Sequence, residues 1–385
     1  MMTKAMKQAA PPTGGADAAP EPRFAQACSV LEDAIAARAF PGCAFGVLAA
    51  DAVVLQDALG QFTYEEESRS VTVDTVFDVA SLTKVVATTA AAMLLDQRGR
   101  IDLETPLADL LPGFIVGRSS VEPARRVCLH HLLAHTSGLP GYVPLYQTVD
   151  SPAALFRALL QLPVRGEPGT HAEYSDPGFI LLGKALEVAT REYLAPWVQR
   201  EILQPLGLTA TGFCPPASLR PLIPPTEDDT AFRRRRIQGE VQDEHAWLLH
   251  GAAGHAGLFS SVPDLLRFAR AILHGMRAST GAEDTPLFHA PTIERFAQRQ
   301  PPEGNSRALG WDTPSADSSA GVYFSPRSIG HLGYSGCSLW IDLDAEVAVV
   351  LLTNRTWPDR KSQLIRQVRP AFHNAVRKAL PPASG

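Results

Sequence analysis

Apolar, β-rich runs lie near both ends of this chain and helical periodicity fills the middle. That distribution limits the fold more than any other feature. Residues 43–48 and 53–59 are short apolar runs separated by 49–52, the pattern of a β-hairpin. Residues 339–343 and 346–353 form a second such pair. Helical spacing runs through 24–39 (Phe24, Ala27, Leu31, Ile35), 127–134, 152–162, 178–189, 193–203, 261–274 and 363–380. Hairpins so far apart in sequence are most simply joined in one antiparallel sheet, covered by the terminal helices. The expected class is therefore α+β, with an all-helical lobe inserted in the middle. The expected division is a tail at 1–22, a sheet domain from 23–105 and 256–385, and a lobe over 106–255. Residues 215–236 read as a long polar loop. No internal repeat is visible, and a cleft between sheet and lobe is the natural place for a site.

The 385 residues are nearly half apolar, enough for a large core. A net charge of −5 argues against a dedicated nucleic-acid binder. The basic run Arg233 to Arg236 is flanked by Glu227, Asp228, Asp229, Glu240, Asp243 and Glu244, so it reads as a solvated, self-paired loop. Five cysteines without C-x-x-C spacing suggest reduced thiols. The Ala-, Pro- and Gly-rich start lacks the apolar stretch of a signal peptide. No run has the length of a membrane span. A disordered tail, a cytoplasmic setting and no membrane partner are the expectations.

The chemistry centres on Val79-Ala80-Ser81-Leu82-Thr83-Lys84, followed by the Ala-rich run 85–95. It reads as an exposed turn feeding a buried helix. Residues three apart share a helix face, so Ser81 and Lys84 point into the same space. Ser81 at a helix start also meets free N–H groups and the positive dipole end, which favour a developing anion. A hydroxyl, a neighbouring amine and an anion site are the parts needed for acyl transfer. An ordinary lysine titrates near pH ~10.4, so acting as a base near neutrality requires a fall of roughly three pH units, about 4 kcal/mol.

Further along come Leu132-Leu133-Ala134-His135-Thr136-Ser137-Gly138-Leu139-Pro140, then Tyr174-Ser175-Asp176, then Gly254 to Ser260, then His331-Leu332-Gly333. In this order, with the Ser81 motif, they resemble the serine β-lactamase and penicillin-binding-protein superfamily, in its class C-like branch, which includes family VIII-type esterases. Ser81-Leu82-Thr83-Lys84 is similar to its first motif and Tyr174-Ser175-Asp176 to its second, Tyr-x-Asn. His331-Leu332-Gly333 is similar to its third, Lys/His-Thr-Gly, on the strand edging the site. The resemblance implies a β-lactamase-like fold, Ser81 as nucleophile, and Lys84 with Tyr174 sharing the proton work. It also implies an oxyanion hole from the N–H groups of Ser81 and Tyr334, and Asp176, His331, Leu332 and Gly333 against the substrate. It implies no cofactor and no metal, a small acyl substrate and a monomer.

Two departures shape the expected activity. Asp176 stands where an Asn usually donates to the substrate amide; a carboxylate accepts only, and can instead pair with Lys84. Leu332 offers no hydroxyl, and His331 is only partly charged near neutrality. A substrate carboxylate is therefore poorly served, so the expectation is an esterase or amidase, with DD-peptidase or β-lactamase action as the alternative. Other classes fit less well. His131 and His135 are four apart, but Leu132 stands where a metalloprotease helix carries Glu. Gly333-Tyr334-Ser335-Gly336-Cys337 is not a G-x-S-x-G elbow. A non-catalytic acyl- or peptidoglycan-binding module remains the non-enzyme alternative, and a Ser81→Ala variant separates it from a hydrolase.

Overall fold

The computed structural model describes residues 22–118, 121–277 and 285–381; the expected tail at 1–22 lies outside them except for Pro22. The organising layer is an antiparallel sheet of β1 Gly42–Ala49, β2 Ala52–Gly60, β8 Ile329–Leu332, β9 Ser338–Asp342 and β10 Val347–Thr353. Its strand order is β2-β1-β10-β9-β8, so the two hairpins from opposite ends of the chain meet through the β1–β10 pair. Both strands of that pair are buried along almost their whole length. That explains why they read as continuous apolar runs rather than as an alternation.

Period-two geometry nonetheless sorts the two faces. Phe45, Val47, Val349, Leu351 and Trp340 join one core cluster with the helices Ala25–Ala36 and Ile365–Lys378, where Phe45 meets Phe372 edge-on at 5.7 Å. Ala44, Leu48, Ala348, Val350 and Leu352 join the other cluster, with the helix Val262–Arg277 and most of the middle of the chain. Gly46 is required by that packing, because a Cβ there would lie 2.6 Å from Val262 Cγ1.

The run 85–95 is buried all round, as an apolar helix without a polar face must be. It begins as a π-helical stretch, Lys84–Thr89, and continues as the α-helix Ala90–Gln97. A second, three-stranded sheet of β3 Phe77–Asp78, β4 Gly212–Phe213 and β7 Leu258–Ser260 braces its start; β7 is central, pairing Asp78 with Phe259. These strands are too short to leave a periodic signature.

The supposed long loop is different from its expectation. Residues 215–236 contain a 3-10 turn at Ala217–Leu222 and most of a hairpin of β5 Pro225–Asp229 and β6 Arg235–Gln238. The middle of the chain is therefore not wholly helical. Asp229 closes the hairpin by accepting from the N–H groups of Ala231, Phe232 and Arg233. Arg233 pairs with Asp229 at 3.1 Å and is itself buried, so only part of the basic run is solvated. Arg235 and Arg236 do pair with neighbouring acids, Glu240 and Asp228. All five cysteines are unpaired. Among the described residues no helix is long and apolar enough to cross a membrane.

Candidate active site

The chain enters the site through β3. Val79 N–H donates to Leu258 O at 3.1 Å, and Ala80 then turns with a φ of 47°, unusual for a residue with a Cβ. Asp78 holds that turn: one carboxylate oxygen accepts from Ala80 N–H and the other from Gln242 N–H, both at 2.8 Å. Burial pushes the Asp78 carboxyl up to about 6, against the pull of those two N–H groups. Ser81 follows in a single 3-10 turn, Ala80–Leu82, with its side chain at the cleft wall. Thr83 locks the turn from behind, donating to Ala80 O at 2.6 Å and accepting from Leu258 N–H at 3.0 Å.

Lys84 is fully buried one turn on. Its amine donates to Ser81 Oγ at 2.9 Å, to Asp176 Oδ1 at 2.6 Å and to the His255 carbonyl at 3.2 Å. Burial acts to lower its pKa, but the Asp176 carboxylate and Tyr174 act the other way and leave it above the ordinary lysine value. The resting amine is thus an ammonium, contrary to the lowered pKa that a free lysine base would need.

Tyr174 and Asp176 come from the opposite side. Ser175 caps the helix Asp176–Thr190, accepting from Gly178 N–H at 3.0 Å and donating to Pro140 O at 2.7 Å. That cap places Asp176 in the first turn, beside Lys84. The Tyr174 ring lies 4.8 Å from the Lys84 amine, and its hydroxyl interacts with both Lys84 and Ser81. Burial raises the Tyr174 pKa most, the Lys84 charge pulls it back, and the net position is above that of a free tyrosine.

His135 explains the recurrent segment that contains it. Its Nδ1 accepts from Ser175 N–H at 2.9 Å, its carbonyl accepts from Glu173 N–H, and its ring stacks 4.6 Å from Tyr174. Burial, with the charges of Arg307 and Lys84, keeps the imidazole neutral. It supports the second motif rather than holding a metal with His131.

The third motif forms the facing wall. His331, Leu332, Gly333 and Tyr334 all line the same cleft of about 640 Å³ as Ser81, Tyr174 and Asp176. His331 is buried, and its Nδ1 lies 2.8 Å from Leu332 O. Burial and the charges of Lys84 and Arg307 push its pKa well below the ordinary value, so it is neutral rather than partly charged. A Cβ on Gly333 would collide with Val79 O, so this wall comes as close to the Ser81 turn as backbone allows. The turn after β8 is clamped: Arg369 donates to the carbonyls of Gly333, Gly336 and Cys337, Arg355 to that of Tyr334, and Ser335 Oγ to that of Asp78. Tyr334 N–H has no acceptor among the described residues.

The arrangement brings together a hydroxyl, an ammonium, a phenol and a facing backbone amide, in the order expected from the sequence. The family sequence model described as Beta-lactamase matches residues 29–370. The chain belongs to the beta-lactamase family. Its fold class and its place among serine hydrolases follow from that membership. The protein named "Putative D-alanyl-D-alanine carboxypeptidase" of Salmonella typhimurium is 31% identical over 309 residues, covering 74% of this chain and 70% of that protein. The structure titled EstCE1, a hydrolase with promiscuous acyltransferase activity, superposes with a TM-score of 0.73 at 22% identity, covering 91% of this chain and 98% of that one. A penicillin-binding protein homologue from Caulobacter crescentus superposes with a TM-score of 0.73 at 17% identity, covering 94% and 99%. At those identities the two structures speak for the fold alone.

Within this family member, several site residues escaped the sequence. Arg369, Arg355 and Asp78 act on backbone groups and carry no motif of their own. Arg307 places its guanidinium 5.2 Å from the Tyr174 ring and lines the cleft. His255, in the Gly254 to Ser260 segment, is buried, and its ring pairs with Asp243 at 2.8 Å. Asp243 sits well below the usual carboxylate range: burial works to raise it, but His255 and His245 overcome that.

Proposed function

We propose that this serine hydrolase cleaves a small, uncharged acyl ester or amide through an acyl-enzyme on Ser81. In this reading Lys84 stays an ammonium, held by Asp176, and polarises Ser81 Oγ. Tyr174, once deprotonated, takes the Ser81 proton as Oγ bonds to the acyl carbon. The carbonyl oxygen becomes an oxyanion between the Ser81 and Tyr334 N–H groups; losing one such donor typically costs about 10²–10³ in rate. As the tetrahedral intermediate collapses, the bond to the leaving group breaks and Tyr174 returns the proton to it. Water then attacks the ester on Ser81, giving up its proton to Tyr174; the acyl–Oγ bond breaks, the carboxylic acid leaves, and Tyr174 passes the proton to Ser81 Oγ.

The observation that carries the preference for an uncharged substrate is the chemistry of the third-motif wall. His331 is neutral there and Leu332 has no hydroxyl. Two of the cleft's cations are engaged within the protein itself. Arg355 donates to the carbonyls of Tyr334, Arg360 and Ser362, and Arg360 pairs with Glu227 and Glu244. The name of the Salmonella relative keeps a second reading in view, a D-alanyl-peptide carboxypeptidase.

The test is a kcat/KM comparison of a short-chain aryl ester, a D-alanyl-D-alanine peptide and a penicillin. The ester is expected to lead by at least 100-fold and to lose about 10⁴-fold or more with Ser81→Ala. Faster turnover of the peptide would install the carboxypeptidase reading in its place.

A further inference from the structure

Asp243, His245 and His255 gather at the edge of the cleft, and the reaction above does not use their side chains. Asp243 and His245 come from the N-terminus of the short helix Glu244–Leu248, and His255 from the turn before β7. Each offers one ligand atom, and the three atoms lie within 4.8 Å of one another. Both imidazoles are only 1% exposed. His245 has no hydrogen-bond partner at either ring nitrogen, and His255 has none at Nδ1. Buried ring nitrogens normally find partners, so His245, bonded at neither nitrogen, needs an explanation.

The ring neighbours of His245 are Tyr142 and Tyr146, at 5.6 and 5.7 Å, and they surround it without bonding to its nitrogens. Asp243 is partly exposed and lines the cleft, which gives the cluster an entry path from solvent. Asp78 and Asp176 add negative potential around it. On a tetrahedral zinc ion with bonds of about 2.0–2.1 Å, neighbouring ligand atoms stand about 3.3 Å apart. The Asp243–His255 pair stands at 2.8 Å and all three ligand atoms lie within 4.8 Å of one another, so modest side-chain rotations would set them around one ion.

We propose that Asp243, His245 and His255 bind one divalent transition-metal ion of the zinc type beside the cleft. Two imidazoles and one carboxylate are a donor set suited to such an ion and poorly suited to magnesium or calcium, which prefer oxygen. On binding, the proton shared between His255 Nε2 and Asp243 is released to solvent and the metal takes its place. The other histidine-rich cluster, Cys128 with His130 and His131, lacks the same signature. His131 Nδ1 there accepts from Cys128 N–H at 3.0 Å, and His130 Nδ1 lies 3.3 Å from Leu103 O.

The test uses the whole chain, stripped by dialysis against a chelator and then titrated with zinc chloride by calorimetry, with metal analysis after desalting. The expected result is close to one equivalent of zinc and a raised Tm. Asp243→Asn and His245→Asn should each weaken binding by at least tenfold, while His131→Gln leaves it unchanged. Asn at position 243 keeps an oxygen for the Ala246 N–H that Asp243 now caps, which guards against simple unfolding. Uptake far below one equivalent, or parent-like binding by both cluster variants, would overturn the proposal.

Discussion

The two walls of the cleft are built from opposite materials. On the wall made by Ser81, Lys84, Tyr174 and Asp176, side chains interact with one another: an ammonium 2.9 Å from a hydroxyl and 2.6 Å from a carboxylate, with a phenol beside them. On the wall from His331 to Tyr334, the side chains offer little. A neutral imidazole and a leucine stand there, and the groups held in place are backbone carbonyls fixed by Arg355 and Arg369. In the proposed mechanism the first wall governs proton movement, and the second supplies shape and an amide. Substitutions should separate along that line, pH behaviour following the first wall and geometry following the second.

The largest effect is expected from the geometric wall. Gly333→Ala introduces a Cβ against Val79 O, and neither backbone can retreat without moving the Ser81 turn or Tyr334 N–H. Loss of one oxyanion donor predicts a fall of about 10²–10³ in kcat, with the pH profile unmoved. A displaced profile would mean that the two walls are not separable.

Asp176→Asn tests the other wall. Tyr174 loses a neighbouring carboxylate that holds its pKa up, so with Lys84 still pulling it down the phenol sheds its proton at lower pH. In the parent, Tyr174 stands above its ordinary value, so log kcat/KM should climb with pH from neutrality into the alkaline range. In the variant, the rising limb should move toward acid by more than about one pH unit. Because it leaves a buried cation unpaired, the same change should also cost about 3 kcal/mol in urea unfolding.

The smallest effect is expected at His331. Since the imidazole is already neutral, His331→Asn should change ester kcat/KM by less than about threefold and leave its pH dependence alone. A large loss restricted to anionic substrates would assign this wall a charge-recognition role.

The sheet and the first two motifs were legible for physical reasons. Strands β1 and β10 are long enough to show as apolar runs, and the spacing of Ser81 and Lys84 fixes a shared face whatever surrounds it. Tyr174 was found through motif order. What stayed hidden depends on tertiary neighbours. The lysine's charge state follows from Asp176, which is remote in sequence. His135 looked like a possible metal ligand until its Nδ1 was seen to take the Ser175 amide. The small sheet β3-β7-β4 has strands of two or three residues, too few for any period to register.

The most direct test of the central claim is intact-mass spectrometry of the protein quenched during turnover of an aryl ester, alongside Ser81→Ala. The account predicts a transient mass increase equal to the acyl group, mapped to the peptide containing Ser81 and absent from the variant. Rapid ester turnover without that adduct in pre-steady-state samples, or an adduct of equal amount in Ser81→Ala, would contradict it.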